Sequence, residues 1–193
     1  MLSFAEHVSQ ASVKGPPRPG IYLGIRMALF GMKLLEIDNP AAIHRKLIVV
    51  VETDRCLPDV IELVLGCRLG NRTLKFRDWG KMAATFLDLT RDRAFRVAAR
   101  ETVEAEARQC YPHVSRDEAL VEAYKLFENE KLFLWQPVTM KIPPEDVPGY
   151  PADRVLCQRC GEGIAYHREV HMDGLTLCRA CAGEAYWLPG GAD

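Results

Sequence analysis

The feature that most constrains this chain is a pair of Cys-x-x-Cys motifs near its C-terminus. Cys157 and Cys160 form the first motif, and Cys178 and Cys181 form the second after 17 intervening residues. Four thiolates at this spacing supply a tetrahedral shell for one soft divalent cation, in the range of structural zinc sites. Iron can occupy the same shell, but zinc is the more common occupant. Since protein fills every position, the motif predicts how the C-terminus folds rather than a catalytic step.

The residues around the two motifs predict a treble-clef or zinc-ribbon finger. Gly161 follows the first motif, where a knuckle turn needs a residue without Cβ, and Asp173-Gly174 lies between two apolar triplets as a hairpin turn does. His167 and His171 are spare ligand candidates, although four cysteines already close the shell. A disulfide pairing is the alternative, which the CxxC spacing and the lack of a secretory signal pattern disfavour.

Composition indicates an ordinary soluble protein of a reducing compartment. The 193 residues are 48% hydrophobic and 26% charged, which suits one sizeable core with a small module. From Pro151 onward there are four arginines, no lysine and six acidic residues, a net charge of −2, so the basic face that nucleic acid requires is missing. The apolar run Leu47–Val51 is far too short to span a membrane. We therefore expect a cytoplasmic protein that binds neither nucleic acid nor membrane.

The alternation of apolar runs and breakers predicts an α+β core, with helices on a mostly antiparallel sheet, followed by the small treble-clef or zinc-ribbon module. The predicted helices cover residues 1–13, 21–36, 59–65 and 101–110 and a segment after the capping box at Ser115, and the predicted strands cover residues 47–51, 73–77, 83–89, 94–99 and 131–142. These elements give three parts: a core domain over residues 1–142, a proline-rich linker over 143–153 and a zinc finger over 154–193.

Polar and sulfur side chains cluster where the predicted core strands end. The members of this group are Asp54, Cys56, Asp59, Cys67, Asp78 and Lys81. Loops at strand ends commonly carry functional residues on a rigid scaffold. Cys56 precedes a predicted helix N-terminus, which stabilises a thiolate, so we expect it to be the more reactive thiol and to lie near Cys67 at one mouth of the core. The simpler interpretation is that each of these residues packs, caps a helix or is solvated.

Three spaced blocks in the core resemble the E-subunit family of formylmethanofuran dehydrogenase, the molybdenum or tungsten enzyme of methanogenesis. The blocks are Glu52-x-Asp54-x-Cys56-x-x-Asp59, Gly66-Cys67-x-x-Gly70 and Asp78-x-Gly80-Lys81, and Gly20-x-x-x-Gly24-x-Arg26 fits the start of the family's first core helix. The resemblance covers roughly residues 15–100, and the finger matches an extension that some members carry. It implies an α+β core with an auxiliary zinc finger.

The chain departs from that family just before the first core helix. The family usually has His-Gly-His-x-Cys-Pro-Gly there, whereas residues 14–20 read Lys-Gly-Pro-Pro-Arg-Pro-Gly. Both histidines and the cysteine are therefore replaced. Arg18 adds positive charge near the expected pocket, which disfavours a cation. We expect a metal-poor core pocket that holds an anion or a small molecule.

Two functions of different classes follow from these observations. The first is a zinc-binding accessory protein with one structural Zn²⁺ in the finger and a core pocket for a small molecule or a partner. The alternative is a metal- or thiol-dependent enzyme that uses Cys56 or Cys67 with Asp54, Asp59 or Lys81. The resemblance implies formylmethanofuran dehydrogenase-like subunits as partners and allows for a homodimer. That enzyme's redox chemistry belongs to its metal cofactor, and the chain has no evident pterin-binding residues, so we expect no pterin cofactor and no stand-alone redox activity.

Overall fold

Helices packed on one sheet form the N-terminal part of the chain. The computed structural model describes residues 2–12, 18–151, 153–188 and 190, and the chain divides into two compact units, Met1–Lys141 and Ile142–Asp193. The helices of the first unit are α1 (Phe4–Ala11), α2 (Pro19–Leu35), α3 (Leu57–Leu65), α4 (Val103–Cys110), α5 (Arg116–Leu126) and α6 (Asn129–Leu132). Its strands are β1 (Leu47–Val51), β2 (Leu74–Phe76), β3 (Ala83–Asp88), β4 (Arg93–Ala99) and β5 (Phe133–Val138). Within the described residues, no helix has both the length and the apolar character needed to cross a bilayer.

The sheet of the first unit is mixed but mostly antiparallel. Its strands lie in the order β2-β1-β3-β4-β5. β1 and β2 are parallel and are connected through α3, whereas every other neighbouring pair in this order is antiparallel. This arrangement, with helices on the sheet, confirms the α+β fold class. The last strand is shorter than predicted, because residues 129–132 form the single turn α6 and Leu132 is buried.

Helix α2 is the central element of the helical layer. It contacts α1, α3 and α5 as well as β3 and β4, and most of its second and third turns are buried, as its apolar residues on two faces predict. Gly31 permits the close approach to the sheet, since a Cβ there would lie 2.6 Å from the ring of Phe86. Beside it, the rings of Phe30 and Phe133 stack with their centroids 5.8 Å apart. α2 thereby fixes the start of α3, where several candidate residues lie.

A buried ion pair anchors the loop that follows β1. Glu52 is 3% exposed, and both its carboxylate oxygens accept hydrogen bonds of 2.7 Å from the guanidinium of Arg96 on β4. The Glu52 carbonyl also accepts from the backbone N–H groups of Trp79 and Lys81. One residue thus ties the end of β1 to the loop before β3 and to β4, and it sets the position of the chain leading to Cys56.

Two antiparallel hairpins and a helical turn form the described part of the second unit. The first hairpin pairs β6 (Arg154–Leu156) with β7 (Gly163–Ala165), and the second pairs β8 (Val170–Met172) with β9 (Leu175–Leu177). Asp173 and Gly174 both have positive φ, 52° and 75°, as a tight hairpin turn requires. A π-helical turn over Ala180–Glu184 follows, and a 3₁₀ turn over Pro144–Asp146 precedes the finger.

We expect the stability of the first unit to depend on pH through His7 of α1. This side chain is buried, neither ring nitrogen has a hydrogen-bond partner among the described residues, and burial lowers the pKa of His7 below its usual value of 6.5 despite the neighbouring Glu6 carboxylate. The unfolded chain therefore takes up the proton first. Stability should fall as the pH drops below about 6.5 and level off below the lower native pKa.

Urea unfolding between pH 5 and 7.5 measures this effect. His7→Leu should lose part of the dependence, whereas His113→Leu, at an exposed histidine, should keep all of it. Identical pH profiles for the wild type and His7→Leu would show that His7 does not carry the effect.

Candidate zinc centre and core cavity

The structure brings the four predicted zinc ligands together. Cys157 and Cys160 lie in the turn between β6 and β7, and Cys178 and Cys181 follow β9. The four Sγ atoms all lie within 4.8 Å of one another, and the Sγ atoms of Cys160 and Cys178 are 3.9 Å apart. A tetrahedral zinc ion with Zn–S bonds of about 2.3 Å requires sulfur separations of about 3.8 Å. The donor set and its spacing therefore fit zinc.

The backbone prepares these thiols for a cation. The amides of Cys160 and Cys178 point at the sulfur of Cys157 and lower the pKa of that thiol to about 6; the Cys178 N–H lies 3.2 Å from the sulfur. Burial and the neighbouring thiols raise the pKa of Cys181 to about 12. Four thiolates this close repel one another, so the full set ionises only when a metal cation neutralises them.

The first knuckle depends on one glycine. Gly161 has φ of +80°, a conformation that side chains disfavour, and its N–H donates to the Cys157 carbonyl at 2.9 Å. The apolar core of the finger is small: its buried members among the described residues are Cys157, Ile164 and Leu177. So small a core cannot hold the fold without another source of stability.

The two spare histidines lie outside the cysteine cluster. His167 has its Nε2 atom 3.3 Å from the hydroxyl of Tyr150, and His171 has its Nδ1 atom 3.3 Å from the hydroxyl of Thr176. Among the described residues, the four cysteines form the one group of three or more His, Cys, Asp or Glu side chains close enough to share a metal ion.

Cys56 occupies a strained position at the start of α3. It is the N-cap residue, with φ of 33° and ψ of −46°, and the next N–H, that of Leu57, bonds back to the Arg55 carbonyl in a tight turn. A positive φ is costly for a residue with a Cβ and is seen most often at functional sites. The thiol is half-buried, and a Cβ on Gly20 of α2 would lie 3.3 Å from its sulfur.

Cys67 lies at the other end of α3, so the expectation that the two thiols are neighbours is wrong. The helix between them has nine residues and spans about 13 Å. Instead of folding back, the loop after Gly66 continues to β2, and the Cys67 sulfur lies 3.8 Å from the carbonyl of Leu47, where β1 begins. Burial raises the pKa of Cys67 to about 11, which makes it a packing residue rather than a nucleophile.

The remaining core candidates are exposed and form no cluster. Asp54, Asp78 and Lys81 are exposed, and the Lys81 ammonium lies 5.8 Å from the centre of the Trp79 ring. Arg18 is the exposed N-cap of α2. The preceding residues 14–17, where the family's histidines would stand, lie outside the described part of the chain.

A cavity of about 880 Å³ lies beside α3 and the loop that follows it. Asp59 is the one predicted core candidate that lines it. The lining residues are His44, Pro58, Asp59, Glu62, Gly66, Arg68, Leu69, Gly70, Asn71 and Leu74. The sequence held two usable signals for this site: Glu62 follows Asp59 by three residues on the same helix face, and Gly66 and Gly70 bracket the loop. His44, far away in sequence, carried no such signal.

Known proteins resemble both units. Residues 15–137 match the family described as FmdE, molybdenum formylmethanofuran dehydrogenase operon, and residues 150–186 match the prokaryotic dksA/traR C4-type zinc finger. An FmdE-like protein of tungsten formylmethanofuran dehydrogenase from Syntrophus aciditrophicus, known from a crystal structure, has the same fold, with a TM-score of 0.63 and 23% identity over 97% of this chain and 96% of that one.

A curated relative gives a further comparison. A protein of Archaeoglobus fulgidus named a probable S-adenosyl-L-methionine-binding protein is 30% identical over 89% of this chain. The match takes in 51% of that relative, so the chain spans about half of the relative's length. The family match covers well over half of the present sequence and confirms the resemblance seen in its motifs. The chain therefore belongs to the FmdE family and carries a C4-type zinc finger at its C-terminal end.

Proposed function

We propose that this chain is a zinc-stabilised binding protein whose finger holds one structural Zn²⁺ and whose core takes a small molecule. The observation that carries the proposal is the cluster of four sulfurs, all within 4.8 Å of one another. A metal with four protein ligands has no open position for a substrate, so the ion serves the fold. Binding is then the task of the core.

S-adenosylmethionine is the first ligand to test. The Archaeoglobus fulgidus relative is named for this ligand, although the present chain spans only about half of it. The core cavity, at about 880 Å³, lies in the size range of small-molecule sites. Carboxylate, guanidinium and leucine side chains line it together, and a charged nucleoside with an amino-acid tail needs all three kinds of contact.

Two measurements on the full-length protein test this function. Elemental analysis should find one zinc per chain, and calorimetric titration with S-adenosylmethionine should show saturable binding at a single site. The protein should bind S-adenosylmethionine more tightly than ATP, which shares the adenosine but lacks the cation. Zinc-free folded protein would overturn the metal assignment, and no heat of binding at millimolar ligand would overturn the ligand assignment.

An accessory role beside formylmethanofuran dehydrogenase-like subunits is the corresponding proposal for partners. The family's operon description supports it, as does a reducing cytoplasm, which keeps four thiols available for metal. Copurification of the tagged chain with such subunits from one host tests this association. Recovery of the tagged chain as a monomer or homodimer, without those subunits, would contradict it.

A second candidate function is thiol chemistry at Cys56. The observation in its favour is the strained φ of 33° at a half-buried residue that begins a helix. Asp54, Asp59 and Lys81 would be its acid or base candidates, and Asp59 lies three residues further along the chain, in the first turn of α3. The buried Cys67, with its raised pKa, does not share the role.

We expect iodoacetamide to label Cys56 much faster than Cys67. With a pKa of about 11, Cys67 has roughly one thiolate in a thousand at pH 8. Peptide mass spectrometry of the zinc-loaded protein follows both sites, and the exposed Cys110 gives the rate of an ordinary accessible thiol. Labelling of Cys56 faster than Cys110 supports a catalytic thiol. A rate equal to that of Cys67 would reduce Cys56 to a packing residue.

A further inference from the structure

The cavity beside α3 carries an ordered pattern of charge. Asp59 and Glu62 are three residues apart on α3, so their side chains leave the same face of the helix, and both are exposed and line the cavity. Two carboxylates on one wall attract a cationic group. The wall also belongs to a helix that is buried on its other face through Val60, Ile61 and Val64, so the position of the carboxylates is fixed.

An arginine faces this acidic wall. The Nε atom of Arg68 lies 2.9 Å from a carboxylate oxygen of Glu62. The loop holds the Arg68 backbone in place, because its N–H donates to the side-chain oxygens of Asn71 and Thr73. A guanidinium has five N–H donors, and the pairing with Glu62 uses the Nε group, so a carboxylate can be bound by the others. The cavity therefore offers a cation site and an anion site side by side.

The rest of the lining is apolar and open. Leu69 is among the large exposed hydrophobic side chains, and it lines the cavity together with Leu74 and Pro58. At Gly66 and Gly70, an added Cβ would meet no atom within 4 Å. An exposed leucine beside two open glycines leaves room for a flat apolar group next to the charged residues.

We propose that this cavity is the ligand site and that it binds a small zwitterion. The cationic centre of the ligand lies beside Asp59 and Glu62, and its carboxylate is bound by Arg68. An aromatic or apolar portion packs on Leu69. S-adenosylmethionine has this set of groups, with a sulfonium and an ammonium, a carboxylate and an adenine, so the site rests on the function proposed above.

Charge at the sulfur provides the test. S-adenosylhomocysteine is the matching neutral thioether, and titration of the full-length protein with both compounds measures their affinity ratio. Asp59→Asn should weaken S-adenosylmethionine by about tenfold or more, because it removes a bond to a charged group, and should change S-adenosylhomocysteine less. Asp54→Asn is the matched control: it removes the same charge from an exposed carboxylate that does not line the cavity.

A second variant tests the space rather than the charge. Gly70→Phe places a ring where a Cβ has no neighbour within 4 Å, so it should fill the cavity without a clash and leave the melting temperature unchanged. Binding of both compounds should be lost. If the wild type binds S-adenosylmethionine and both cavity variants bind it equally well, the binding function stands and this site is overturned. If the wild type binds neither compound, the proposed ligand fails and the site fails with it. An equal loss in Asp54→Asn and Asp59→Asn would also overturn the site, because it would indicate unspecific attraction.

Discussion

Cys178→Ser is expected to abolish zinc binding and unfold the finger while the first unit keeps its own melting transition. Structural zinc contributes about 10–16 kcal/mol of apparent binding energy in small finger peptides. The buried apolar members of this finger, among the described residues, are Cys157, Ile164 and Leu177, far too few to replace that energy. The Cys178 sulfur lies 3.9 Å from that of Cys160 and accepts the N–H of Cys181, so its loss breaks the centre of the cluster.

Elemental analysis and limited proteolysis read this result. The variant should hold no stoichiometric zinc and should be cut within residues 155–187, with the first unit left intact. Cys110→Ser is the matched control, since it changes an exposed cysteine outside the cluster. Stoichiometric zinc in the double variant Cys157→Ser/Cys178→Ser would contradict the assignment of these ligands.

Local signals explain which elements could be predicted from the sequence. The β-branched run of β1 and the Asp173-Gly174 hairpin appear with the predicted bounds, because both depend on residues adjacent in the chain. The capping box at Ser115 forms as well, with the Ser115 side chain accepting from the Glu118 N–H. The cysteine cluster belongs to the same class, since the spacing within each motif already limits where the sulfurs can lie.

The core site depends on contacts that sequence spacing does not encode. Proximity of Cys56 and Cys67 is a natural expectation because both flank the same short helix, yet a straight helix of nine residues separates them. The cavity joins His44, before β1, to a loop more than twenty residues later. Which residues meet there is determined by the parallel pairing of β1 with β2, and this pairing becomes visible only in the folded chain.

Arg96→Met is expected to destabilise the first unit by about 3–5 kcal/mol, because it leaves the charge of Glu52 buried without a partner. Glu52 is 3% exposed and the Arg96 side chain is 26% exposed, so water can replace little of the lost pairing. The chain contains a matched control of equal geometry. Arg116 and Glu104 also form a bidentate pair, at 2.7 and 2.6 Å, but their side chains are 55% and 40% exposed. Arg116→Met should cost less than about 1 kcal/mol.

Urea unfolding of the two single variants compares burial at constant hydrogen-bond geometry. A third variant, Glu52→Leu/Arg96→Met, separates the cost of the stranded charge from the worth of the pair. It should recover much of the stability lost in Arg96→Met, because both charges are then gone. The N–H groups of Trp79 and Lys81 still find the carbonyl at position 52 in this variant, so the loop before β3 should keep its place. Equal losses in Arg96→Met and Arg116→Met would show that burial does not decide the strength of these pairs. A double variant no more stable than Arg96→Met would show that the pair itself, rather than the unpaired carboxylate, holds β1 to β4.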